Sequence, residues 1–156
     1  MKAKVIVLIA FLLVSVSLFA QENKTEEEIR YSNITEFGFM TASFQSLALE
    51  ATTVHGFSMN KKHHFGLGTG IGGNFGIAAY LPVFANYRLY FKPDNTPSPF
   101  VNVAVGGLVT QDEGGVYSAL TMGFRSGKFS LSSGISVMLI DGELPFGVTI
   151  KCGFTF

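Results

Sequence analysis

Beyond residue 30, apolar side chains fall at every second position over most of the chain. In the closing stretch FGVTIKCGFTF, Phe146, Val148, Ile150, Cys152, Phe154 and Phe156 alternate with Gly147, Thr149, Lys151, Gly153 and Thr155. Successive side chains of a strand point to opposite faces, so a period of two predicts a β-strand with one apolar and one polar side. No window of helical length carries a comparable 3.6-residue period. The alternation recurs in eight segments, at about residues 31–41, 45–57, 64–74, 79–91, 100–110, 115–125, 128–140 and 145–156. Between them lie SMNKKH, NFGI, KPDNTPSP, QDEGG, RSGK and DGELP, rich in the residues of tight turns. The first connection, at residues 42–44, has the weakest turn signal. Strands of roughly ten to thirteen residues are long for a soluble sheet, where about five or six is usual. They suit the roughly 9–11 residues that a tilted strand needs to cross a bilayer. An even number lets both ends of an antiparallel barrel lie on one side. The pattern therefore predicts an all-β protein, a closed eight-stranded antiparallel up-and-down transmembrane β-barrel.

Parity sorts the two faces. Phe129, Leu131, Ile135, Val137 and Leu139 oppose Ser130, Ser132, Gly134 and Ser136. Val116, Leu120, Met122 and Phe124 oppose Tyr117, Ala119, Thr121, Gly123 and Arg125. Leu81, Val83, Ala85, Tyr87, Leu89 and Phe91 oppose Phe84, Asn86, Arg88 and Tyr90, and Phe65, Leu67 and Ile71 oppose a row of glycines. The polar face is built mainly from Gly, Ser, Thr and Ala, which are too small to coat a solvent surface and suit a narrow interior. Eight strands leave only room for side chains in the lumen. The bulky apolar face then meets lipid, since closure satisfies every backbone hydrogen bond. With the N-terminal end placed on the periplasmic side, Tyr31, Phe57, Phe65, Phe91, Phe100, Phe124, Phe129 and Phe156 mark one level, as an aromatic girdle requires. Phe100 has the wrong parity relative to Val101, Val103 and Val105, and Ile34 shares a face with Glu36.

Composition agrees with this pattern. Only 14% of the 156 residues are charged, against about 25% in an average soluble domain. Glycine (18) and phenylalanine (16) are abundant. Eleven basic and eleven acidic residues balance, so no charge excess points to nucleic acid. MKAK, then VIVLIAFLLVSVSLFA, then QENKTEEE reads as a secretory signal peptide over residues 1–20, cut after Ala20, with a short polar lead-in at 21–30 before the barrel at 31–156. The single Cys152 excludes an internal disulfide.

With its signal peptide, eight alternating strands and aromatic last strand, the chain resembles the small eight-stranded outer-membrane β-barrels of Gram-negative bacteria, such as the OmpA transmembrane domain and OmpX. The SLFAQ junction also resembles signal peptides of Bacteroidetes. The resemblance implies residence in the outer membrane, outer-membrane lipid as the surroundings, and contact with the barrel-assembly machinery during insertion. It assigns the assembly signal to Val148, Ile150, Phe154 and Phe156. It also implies a monomer without a cofactor. The outer turns QDEGG and DGELP are shorter than many in that family.

Glu36, Glu50, Arg88, Arg125 and Lys151 fall on the expected inner face. Charges in a narrow lumen must pair or reach water. The expected network pairs Glu50 with Arg88, with Glu36 and Lys151 contributing, as a plug that holds the barrel. GTGIGG satisfies G-x-G-x-x-G, but its glycines continue a period of two from Gly66 and no helix pattern follows, so no nucleotide site is expected. His63 and His64 adjoin Lys61 and Lys62 in an expected solvated turn and face opposite ways, which rules against joint metal binding. His55 is expected to face outward near the periplasmic end, and it does not share a face with Ser58. Asp112, Glu113, Asp141 and Glu143 lie in outer turns. No catalytic set, cofactor site or metal site stands out. The expected function is a non-enzymatic outer-membrane barrel, structural or adhesive. A lipid-modifying enzyme of the outer membrane and a secreted soluble barrel holding an apolar ligand remain as alternatives.

Overall fold

A computed structural model describes residues 29–42, 46–74, 79–94, 96–111, 113–140 and 146–156. The expected signal peptide, most of the lead-in, the link at 43–45 and the acidic Asp112, Asp141 and Glu143 lie outside the described residues.

Eight strands form one sheet: β1 (Ile29–Ala42), β2 (Ser46–Met59), β3 (His63–Asn74), β4 (Leu81–Tyr90), β5 (Ser98–Val109), β6 (Gly114–Ser126), β7 (Phe129–Ile140) and β8 (Phe146–Thr155). Each pairs antiparallel with the next, and β8 returns to β1, closing the barrel in simple sequence order. Closure pairs every strand with a neighbour on both sides and so removes the free edges of an open sheet. The expected strands are all present. β1 starts two residues earlier than the alternation indicates, because Ile29 and Arg30 pair with Met59 and Ser58 of β2.

Tight turns at the lower end, the end that holds Ile29, fix the register. Between β2 and β3, Asn60 and Lys61 both take positive φ (52° and 56°) and the Lys62 amide donates to the Met59 carbonyl at 3.1 Å. Two successive positive φ values define a type I′ turn, whose twist matches that of paired strands. Between β6 and β7, Gly127 supplies the positive φ (60°).

The core of the molecule is its lumen. Ile34, Phe84, Tyr90, Phe100, Leu108 and Tyr117 are buried there, whereas Leu67, Ile71, Val83, Leu120, Met122 and Ile135 are exposed on the outside. A soluble protein would bury the second set. Leu67 is 73% exposed and its neighbour on the other face of the strand, Gly68, lies under the Phe84 ring.

Two expectations at the lower rim need correction. Phe100 does not join the girdle; it is 1% exposed, inside the lumen, with its ring 5.7 Å from that of Tyr90. The Arg88 guanidinium lies 4.4 Å from the Phe100 ring centre, and this cation–π contact gives the inward turn its partner. His64 is not in a solvated turn. β3 begins at His63, so His64 already points inward and is fully buried. The other seven girdle residues, Tyr31, Phe57, Phe65, Phe91, Phe124, Phe129 and Phe156, are exposed. Tyr87 adds to them, its ring 4.8 Å from Phe65.

Candidate functional site

The strand pattern brings four charged side chains into the lumen, and they form two pairs. Arg88 of β4 reaches across to Glu36 of β1, with Nη2 donating to Oε1 at 2.5 Å. Its Nε donates to Asn102 Oδ1 at 3.2 Å, and Asn86 Nδ2 donates to the same oxygen at 2.9 Å. Lys151 of β8 donates to Glu50 of β2. Tyr80 and Tyr117 hydroxyls donate to the two oxygens of Glu50, at 3.0 and 3.1 Å. Lys151 Nζ also lies 3.3 Å from the Tyr117 hydroxyl. All four charged residues are buried. Two anions and two cations thus neutralise each other, as burial demands.

The partners differ from those expected. Glu50 pairs with Lys151 rather than with Arg88, and Arg88 takes Glu36. Register explains the exchange. Gly38 stands opposite both Glu50 and Lys151, on either side of β1. A Cβ on Gly38 would sit 2.7 Å from Lys151 Cγ, so the missing side chain is the space through which the lysine crosses. Glu36 lies two residues nearer the lower end of β1, within reach of Arg88. Arg125 joins neither pair. It is half-buried at the lower mouth, 4.0 Å from the Tyr90 ring centre, and donates to the Pro93 carbonyl at 3.3 Å.

Aromatic side chains complete the filling. Tyr80 lies just outside β4 and is held by two backbone bonds to Gly72. A Cβ on Gly72 would meet the Tyr80 ring at 2.2 Å, so the glycine row of β3 is the floor on which rings from the β4 side lie. Phe84 and Tyr117 pack at 5.3 Å between centroids. Lower down, His64 Nε2 is 3.4 Å from the Ser32 carbonyl. Tyr80 and Asn102 were not singled out from the sequence. Parity alone puts Tyr80 on the face of Phe84 and Arg88, and that was the available signal.

Of the other residues weighed above, His63 faces outward, bonded to Tyr87 at 2.9 Å. His55 also faces outward, bonded to the Tyr31 hydroxyl at 2.6 Å. Val148, Ile150, Phe154 and Phe156 line the outward face of the β8 end of the chain. Cys152 is exposed on that same face. Among the described residues no group of His, Cys, Asp and Glu is placed to hold a metal.

The architecture is that of a transmembrane β-barrel. De novo designed transmembrane β-barrels superpose with a TM-score of 0.57 at 13% identity, over 80% of this chain and 95% of theirs. The crystal structure of the N-terminal β-barrel domain of Pseudomonas aeruginosa OprF gives 0.57 at 8% identity, over 83% of this chain and 100% of that one. Neisserial surface protein A gives 0.52 at 8%, over 85% and 100%. At these identities the likeness is one of fold. No protein-family model matches the chain, and no curated protein matches it in sequence.

Proposed function

We propose that the protein is a non-enzymatic outer-membrane barrel of a Gram-negative bacterium, of the small OmpA- and OmpX-like kind. Its lumen is closed by side chains, and its role is structural or one of surface interaction. The observation that carries this reading is the pairing of a largely apolar outer belt with a lumen filled by two neutral ion pairs and stacked aromatics. Among the described residues these side chains fill the lumen, in contrast to the wide lumen of a porin. Interaction with other molecules then falls to the rims and the outer wall. The basic, apolar and polar order of residues 1–28 supports export through a cleaved signal peptide, and the Phe-terminated alternation of β8 supports recognition by the barrel-assembly machinery through Val148, Ile150, Phe154 and Phe156.

The test is conductance in a planar bilayer. The wild-type barrel is expected to stay closed. The variant Glu50→Ala with Lys151→Ala and Tyr117→Ala is expected to show small discrete openings. Steady conductance through the unaltered protein would contradict the plugged lumen.

A further inference from the structure

Four hydrogen-bonded polar side chains form a patch on the largely apolar outer wall. On β1 and β2, Asn33 stands opposite His55 and Thr35 opposite Thr53, all facing outward. They are tied together and to Tyr31. The Tyr31 hydroxyl lies 2.6 Å from His55 Nδ1, and Asn33 Nδ2 lies 3.0 Å from Nδ1 and 3.1 Å from Nε2. Thr35 and Thr53 donate to Asn33 Oδ1 at 3.2 and 3.5 Å, and Thr53 Oγ1 is 3.4 Å from His55 Nε2. The lumen network has no use for this cluster, and a wall that only meets acyl chains gains nothing from it.

Directly above it, across β1, β2 and β3, the wall is dented. Phe37 and Ala51 are the next outward pair after Thr35 and Thr53. Ala51 and Gly73 floor an open apolar depression of about 470 Å³, flanked by Phe37, Leu49 and Ile71. Below the cluster comes the girdle at Tyr31 and Phe57, and then the β2–β3 turn with exposed Lys62 and with Lys61, whose Nζ lies 3.5 Å from Asp94 in an exposed pair.

Read upward, the order is cation, aromatic girdle, hydrogen-bonding patch, apolar slot. A glycerophospholipid of the periplasmic leaflet has the complementary order of phosphate, glycerol esters and acyl chain. The lengths also agree. His55 to Leu49 is six steps of about 3.3 Å, and at a strand tilt of about 40° this rises roughly 15 Å, half of a hydrocarbon core of about 30 Å. We propose that the β1–β2 wall is a binding site for one phospholipid of the periplasmic leaflet. Its ester region bonds to the Asn33–His55 patch, and one acyl chain lies over Ala51 and Gly73. The site rests on the barrel's standing in a membrane with its N-terminal end toward the periplasm.

Native mass spectrometry tests it. The full barrel is folded into nanodiscs of phosphatidylethanolamine and phosphatidylglycerol with added lipid A, then released into mild detergent. Wild type is expected to retain one phospholipid. His55→Leu with Asn33→Leu, and separately Ala51→Phe, are expected to cut retention at least fivefold. Ser133→Leu, on the outward face of β7, is expected to leave retention unchanged. Heat-modifiable gel mobility shows that each variant is folded, and if the first does not fold, Ala51→Phe carries the comparison. Equal retention in folded wild type and Ala51→Phe would overturn the proposal. So would preferential retention of lipid A, or a dimer that the wall variants dissolve. A chain that never enters the nanodisc would instead contradict the membrane reading itself.

Discussion

Removing Arg88 should destabilise the barrel far more than removing Arg88 together with its partner. Arg88 is 1% exposed, bonded to Glu36 at 2.5 Å and to Asn102 at 3.2 Å, and stacked on Phe100 at 4.4 Å. Arg88→Met keeps most of the apolar bulk but leaves the Glu36 carboxylate buried without its counter-ion. Breaking a buried pair in this way costs about 3–5 kcal/mol. Lys151 remains in the same lumen as a second cation, which places the loss at the lower end, about 3 kcal/mol. With a urea m-value of about 2 kcal/mol/M, the unfolding midpoint should fall by about 1.5 M. Adding Glu36→Gln removes the stranded charge and should restore most of that loss, because a neutral replacement of a buried pair is often close to neutral overall. The assay is urea unfolding of the barrel in lipid vesicles, followed by loss of the heat-modifiable band. The same cycle run on Arg88 and Glu50 should be additive within about 0.5 kcal/mol, since those residues share no direct contact among the described bonds. Coupling between Arg88 and Glu50 larger than that between Arg88 and Glu36 would refute the pairing.

Tyr117→Phe deletes a hydroxyl that donates to Glu50 and lies beside Lys151. It should cost about 1–2 kcal/mol in the same urea assay. Gly72→Val would push the Tyr80 ring away from Glu50, and overpacking of this kind should cost about 1–3 kcal/mol. Phe156→Ser should lower the amount of folded barrel in cells, measured by fractionation, while leaving unaided refolding into detergent unchanged.

Much of this fold is legible because a barrel wall obeys one local rule. A residue's face follows from its parity, so the outward belt and the inward positions of Glu36, Glu50, Arg88 and Lys151 can be read along the strands. Partner choice cannot. Whether Glu50 meets Arg88 or Lys151 depends on how β8, β1 and β2 are staggered, and on the side-chain-free gap at Gly38. The strand ends are similarly dependent on context. Phe100 and His64 were misplaced because one step in where a strand begins, or one contact such as Arg88 on Phe100, decides between lumen and surface. The patch around His55 was equally hidden. His55 reads as a lone interfacial histidine until the β1–β2 register sets Asn33 opposite it.

In a membrane the large apolar side chains on the outside of the barrel are in contact with hydrocarbon. The chain contains no tryptophan, so Leu120→Trp, on the outward face in the middle of β6, introduces a unique reporter. Reconstituted with lipids brominated at successive depths, it should show blue-shifted emission, quenched most strongly by bromines near the bilayer midplane. Red-shifted emission that no brominated lipid quenches would contradict the claim.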